Sequence, residues 1–347
     1  MDLLEQLLVY VKDATTQSTI NKALLTNGSQ TTGWFFYAFY GTGLVFLSCV
    51  MTTYWGKGAM GSGVAEVIGY INGVNYPEAI DIKTVVTKIF GVVFAVAGGI
   101  AVGKEGPLAH IGANMGSALV YLPGLTFLQN DRMKRGYICA GASAGVSVAF
   151  GAPIGGALFM YELSRENPAW DFKLLWKTFI TCAVAVFITG MFDNTLHGQT
   201  IDWSESAMKF AKSQPDVSTP SIVCIGALVI GAISGLLGAF FIFINFRING
   251  FRGRLNTKPM GKLLEASLFA FLTATCFYWF PMRFETCLPN GTANIKTDSI
   301  FDKSENYDVT QGWCKEGLHN PLATIMWKTE GGLIKHMMDM DPHCTKT

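Results

Sequence analysis

Gly103-Lys104-Glu105-Gly106-Pro107 follows directly on an apolar run from Thr84 to Val102, and another apolar stretch continues to Leu122 with no polar loop between them. Pro107 suits the first turn of a helix, where its missing N–H would be unpaired in any case. Gly103 and Gly106 leave no side chain between the backbone and a ligand. A helix beginning here directs unpaired N–H groups and the positive end of its dipole at whatever precedes it, and that geometry binds anions. Glu105 is then a carboxylate aimed at an anion site within an apolar span, where ionisable groups are costly and usually functional. It reads as a tethered competitor: its charge occupies the anion site, and protonation or displacement admits the anion. The plainer alternative is a charged helix start in which Glu105 pairs with Lys104.

The rest of the chain agrees with a membrane-embedded, all-α protein. Half of the 347 residues are hydrophobic and only 15% are charged, against roughly a quarter in soluble domains. Apolar runs long enough for a bilayer, about 20 residues, extend over Trp34 to Trp55, Thr84 to Val102, Leu174 to Phe192, Ile222 to Phe246 and Leu263 to Met282. Gly136 to Leu163 is apolar but broken by Pro153, and predicts two shorter helices meeting at Gly151-Ala152-Pro153. Interrupted, glycine-punctuated helices are the pattern of transporters whose broken helices meet at mid-membrane. One membrane domain is therefore expected over 1–282, with a polar extracytoplasmic loop or cap over 283–347. Arg247, Arg252, Arg254, Lys258 and Lys262 place the loop between the last two spans in the cytoplasm. The helix that follows delivers the remainder to the opposite side. There a disulfide between Cys287 and Cys314 would fit, as would glycosylation at Asn290. Asn27 is a second sequon.

Gly61-Ser62-Gly63 is a further candidate for an anion site. Ser62 and the N–H groups of a helix starting at Val64 suit a partly dehydrated anion, although an ordinary helix cap has the same residues. Other patterns carry less. Gly98 to Lys104 fits a phosphate-binding loop up to Glu105, which stands where the magnesium-binding Ser or Thr belongs. Gly141-Ala142-Ser143-Ala144-Gly145 fits a nucleophile elbow but reads better as close helix packing. The five histidines lack metal spacing, and His110 reads as a packed helix residue. A net charge of +1 offers no basic face to nucleic acid. No enzyme, metal or cofactor is expected, apart from a bound anion.

Gly61-Ser62-Gly63-Val64-Ala65-Glu66, the unchanged Gly103-to-Pro107 motif, and the block from Ala140 through Gly155-Gly156 to Phe159 resemble, in order and spacing, the CLC family of chloride channels and chloride/proton exchangers. The likeness extends from about residue 16 to 335 and is nearest the organellar eukaryotic branch. It implies an inverted-repeat fold, a homodimer with one anion pathway per subunit, Ser62 as a hydroxyl ligand and Glu105 as the gate. Gly61, Gly63, Lys104 and Gly106 would complete the anion-binding segments. An endosomal, lysosomal or vacuolar membrane and an accessory subunit would also fit.

Three departures from the family pattern stand out. Val64-Ala65 replaces the usual Ile-Pro. Leu163 stands where proton-coupled members carry an inner relay glutamate, which tilts the expectation toward channel-like conduction over exchange; Glu166, one turn on, is a potential substitute. Nothing resembles the second-half motifs, so a non-conducting regulatory partner of a full-length protein is the alternative from another class.

Overall fold

The computed structural model describes residues 2–25, 30–74, 76–124, 129–164, 172–196, 221–255, 258–284, 286–289, 310–315 and 317–328. Asn27, Glu166 and Asn290 lie outside the described residues. The described fold is helical: α1 (Asp2–Leu25), α2 (Thr31–Val50), α3 (Val64–Ile71), α4 (Ile82–Ala97), α5 (Glu105–Val120), α6 (Asp131–Phe150), α7 (Pro153–Ser164), α8 (Phe172–Leu196), α9 (Ser221–Leu255), α10 (Pro259–Arg283) and α11 (Pro321–Trp327). Among the described residues, four stretches are long and apolar enough to cross a membrane: Thr31–Trp55, Phe172–Phe192, Cys224–Gly253 and Pro259–Arg283.

The run from Thr84 to Val102 is not one span. Helix α4 stops at Ala97, and residues 98–104 leave the helical path. Gly99 takes φ +86°, a left-handed conformation that glycine adopts without steric cost and that ends a helix. Apolarity alone does not register this stop, because the connecting segment is as apolar as the helix before it. Residues Gly136 to Leu163 do form two helices. Helix α6 ends at Gly151, φ +63°, and α7 begins at Pro153.

Chain contacts divide the structure into two units, residues 1–210 with 266–347, and residues 211–265. In the first, α5 and α6 approach backbone to backbone. A Cβ on Gly112 would overlap the Gly141 carbonyl, one on Gly145 the Leu108 carbonyl, and one on Gly116 the Tyr137 carbonyl. A buried cluster of Val67, Ile71, Ala113, Ile138, Cys139, Ala142 and Met160 joins α3, α5, α6 and α7. Helix α2 meets the end of α4 in the same close manner: the ideal Cβ position of Gly41 lies 2.7 Å from the Gly98 carbonyl oxygen. Ser48 Oγ also donates to the Gly91 carbonyl at 2.7 Å.

Residues 310–328 pack onto α1, α2 and the end of α10. Trp313 and Trp327 join Ile20, Tyr37 and Tyr278 in a second buried cluster. Gln17 exchanges two hydrogen bonds with the Gly312 backbone, at 2.8 and 3.1 Å, and Trp327 Nε1 donates to the Phe277 carbonyl at 3.2 Å. Cys287 and Cys314 are joined in a disulfide beside a short antiparallel pairing of Leu288–Pro289 with Leu318–His319.

The second unit contains α9, whose apolar side chains are exposed throughout 224–253, and the start of α10. Arg252 Nε bonds Glu265 Oε1 at 2.5 Å.

Candidate functional site

One cavity of about 550 Å³ is lined by residues of α2, the 59–62 turn that leads into α3, α4 and the start of α5. The Gly61-Ser62-Gly63 turn enters α3 with both glycines at positive φ, +71° and +81°. Gly63 is doubly constrained, because a side chain there would also overlap the His110 ring. Ser62 is exposed to the cavity, and its Oγ accepts a 3.4 Å hydrogen bond from the Val64 N–H at the α3 start.

The start of α5 lies against this turn. The ideal Cβ position of Gly106 falls 2.7 Å from Ser62 Cβ, so only glycine at 106 lets the two helix starts approach. Glu105 is half-buried, and its carboxylate folds back over Gly103, occupying the volume that a Gly103 side chain would fill. The structure therefore brings Gly61, Ser62, Glu105 and Gly106 together around one cavity, with a carboxylate ahead of the unpaired N–H groups of α5.

Lys104 is placed differently. It does not line the cavity, and its ammonium lies 3.8 Å from the carboxylate of Glu5, a buried residue of α1. The cation that lines the cavity is Lys88 of α4, 2% exposed. Lys88 Nζ donates to the carbonyls of Ala59 and Gly61, at 3.1 and 2.9 Å. It thus holds the Ser62 turn in place and brings an ammonium group behind it. Sequence reading passed over Lys88 because it sits in an otherwise apolar run. The available signal was an ionisable residue inside a long apolar run, which is rarely without a role.

Replacement of Lys88 by Met removes both the charge and the carbonyl bonds. If the cavity takes an anion, its binding is expected to weaken about tenfold to a hundredfold, since hydrogen bonds to charged groups are worth about 1.5–3 kcal/mol. Titration of the purified chain with a halide measures this, and an unchanged affinity would remove Lys88 from the site.

The remaining sequence candidates fall outside the cavity. His110 is fully buried, with Nε2 2.8 Å from the Ala79 carbonyl. Ser143 is buried in α6 and donates to the Cys139 carbonyl one turn earlier, at 2.9 Å. Leu163 packs on the apolar cluster that includes Val67, Ile71 and Met160, while Glu162 beside it is exposed.

Comparison with known proteins agrees with this arrangement. The family model described as "Voltage gated chloride channel" matches residues 44–329. "Chloride channel protein C" of Dictyostelium discoideum is 35% identical over 317 residues, covering 87% of this chain and 41% of that protein. "H(+)/Cl(-) exchange transporter 7" of Homo sapiens is 30% identical over 282 residues, 78% of this chain and 33% of that protein. The chain thus spans less than half the length of these relatives. A crystal structure of a eukaryotic CLC transporter shares the fold with a TM-score of 0.60 at 21% identity, covering 81% of this chain and 47% of that one. The X-ray structure of a slow cyanobacterial Cl-/H+ antiporter gives a TM-score of 0.55 at 18% identity, over 82% and 68%. With a family-model match over most of its length, this multi-pass membrane chain belongs to the voltage gated chloride channel, or CLC, family.

Proposed function

We propose that this chain forms a chloride pathway in which the N–H groups at the α3 and α5 starts and the Ser62 hydroxyl hold the anion. Lys88 supplies a positive charge and the Glu105 carboxylate is the gate. The observation that carries the reading is the contact of Gly106 with Ser62, with the Glu105 carboxylate folded over Gly103 in the same cavity. A carboxylate and a halide both suit a helix start, so one displaces the other, and movement or protonation of Glu105 admits chloride. A homodimer with one such pathway per subunit fits the family.

Within this class, channel-like conduction is the preferred reading. Leu163 carries no ionisable group and packs in an apolar cluster, so the side chain at this position does not relay a proton. The second reading is chloride/proton exchange, favoured by relatives bearing that name.

The experiment is a reversal-potential measurement on the chain in planar bilayers, with symmetric chloride and an imposed pH gradient. Passive conduction predicts a reversal potential that stays at zero. A potential that moves with the proton gradient would replace conduction with exchange, and absence of any chloride current would reject the pathway in this chain.

A further inference from the structure

The segment 98–104 joins α4 to α5 and carries Glu105 at its far end, so its position sets where the carboxylate lies. Its start is tied back to α4 through Gly98 N–H to the Phe94 carbonyl and Gly99 N–H to the Val96 carbonyl, both 2.9 Å, and Ile100 N–H to the Ala95 carbonyl at 3.4 Å, while within the segment Val102 N–H donates to the Ile100 carbonyl at 2.8 Å. Val102 and Gly103, just before the carboxylate, are exposed.

Two buried charges of α1 meet this segment at its two ends. Lys12 Nζ donates to the carbonyl of Ala97, the last residue of α4, at 3.3 Å. The same atom lies 3.6 Å from the ideal Cβ position of Gly99, and 5.0 Å from the centroid of the Tyr37 ring. A cation suits the negative end of a helix. At the other end, Glu5 pairs with Lys104, the residue immediately before α5. Glu5 and Lys12 are seven positions apart, two turns on one face of α1, and are 6% and 2% exposed. Burying a carboxylate and an ammonium is costly unless each finds a specific partner. Here the partners are the last carbonyl before the segment and the last side chain before the gate.

We infer that Glu5 and Lys12 are positioning residues for the Glu105 gate: α1 grips segment 98–104 at both ends and so keeps the carboxylate over the anion site. The link to gating rests on the reading of Glu105 proposed above, whereas the grip itself is a structural property that is measured separately. Loosening the grip lets the carboxylate leave the site for part of the time, and chloride then meets less competition. Glu5 and Lys12 do not line the cavity, so their effect has to pass through Glu105.

Hydrogen–deuterium exchange on the full chain in detergent tests the grip, because local opening reports on the contacts that hold a segment. Glu5→Gln and Lys12→Gln are each expected to speed exchange at residues 98–105 about tenfold, with α5 and α6 protected as in the parent. Lys104→Gln removes the same ion pair from the other side and is expected to do likewise, which covers the case of a Glu5 variant that does not fold. Unchanged protection at 98–105 in these variants would overturn the inference. Chloride titration tests the link. Glu5→Gln is expected to tighten chloride binding about threefold to tenfold, and the gain is expected to vanish when Glu105→Gln is also present. A gain that persists in the double variant would show that Glu5 does not act through Glu105 and would overturn its positioning role. If Glu105→Gln by itself leaves chloride affinity unchanged, the gate reading fails, and the exchange result still decides the grip.

Discussion

Glu105→Gln is expected to abolish the pH dependence of chloride flux and to tighten chloride binding by about tenfold or more. On the proposed reading the parent carboxylate competes with chloride for the positive end of α5, and neutralising that competitor raises flux. The amide has nearly the same size but no charge, and it leaves the site open at every pH. Its affinity gain corresponds to about 1.4 kcal/mol for each factor of ten. That is a modest demand on a charge placed against unpaired N–H groups in a partly buried cavity. Flux into vesicles at a series of pH values, together with chloride titration, provides both readings. A variant whose flux keeps the parent pH profile would remove Glu105 from the gate, whatever its effect on total flux.

The second large effect is expected from the seam between α5 and α6. Gly141→Val places side-chain atoms where the Gly112 carbonyl already lies. That neighbour is backbone within a helix and has no rotamer through which to withdraw. Overpacking of this kind typically costs about 1–3 kcal/mol where side chains can adjust, and the adjustment available here is separation of the two helices. Because the start of α5, Glu105 to Pro107, lines the cavity, separation also displaces that wall. The expected result is loss of a monodisperse, thermally stable species in detergent. Gly226→Val on α9 is the control, since nothing lies within 4 Å of the ideal Cβ there, and it is expected to melt with the parent. Equal melting of the Gly141 and Gly226 variants would show that the seam is not closely packed.

Much of the site was legible beforehand because its chemistry is local. The Gly61-Ser62-Gly63 turn needs left-handed backbone at its two glycines. The Gly103-to-Pro107 motif needs bare backbone and a proline within the first helical turn. Both requirements appear as residue types at adjacent positions. The break at Gly151-Ala152-Pro153 was legible for the same reason.

Lys104 shows where local reading ends. A lysine next to Glu105 reads as part of an anion-binding segment, and in the structure its ammonium lies 3.8 Å from the carboxylate of Glu5, ninety-nine residues earlier in the chain. Lys88 was hidden in the opposite way, as a polar residue within an apolar run whose partners are carbonyls of another turn. Glu5 and Lys12 lie in a helix of mixed polarity, where charges seven positions apart resemble a solvated stripe.

The sequence by itself determined that this protein is helical and membrane-embedded, and that two helix starts suited to anions lie along it, because hydrophobic run length and glycine and proline positions act on neighbouring residues. Only the tertiary structure decided that those two starts face one cavity, that Lys88 and not Lys104 lines it, and that α1 buries its charges against the segment carrying Glu105. A charge placed in a low-dielectric interior is governed by whatever carbonyl or counter-ion the fold brings within a few ångströms, and that proximity exists only once distant helices have packed.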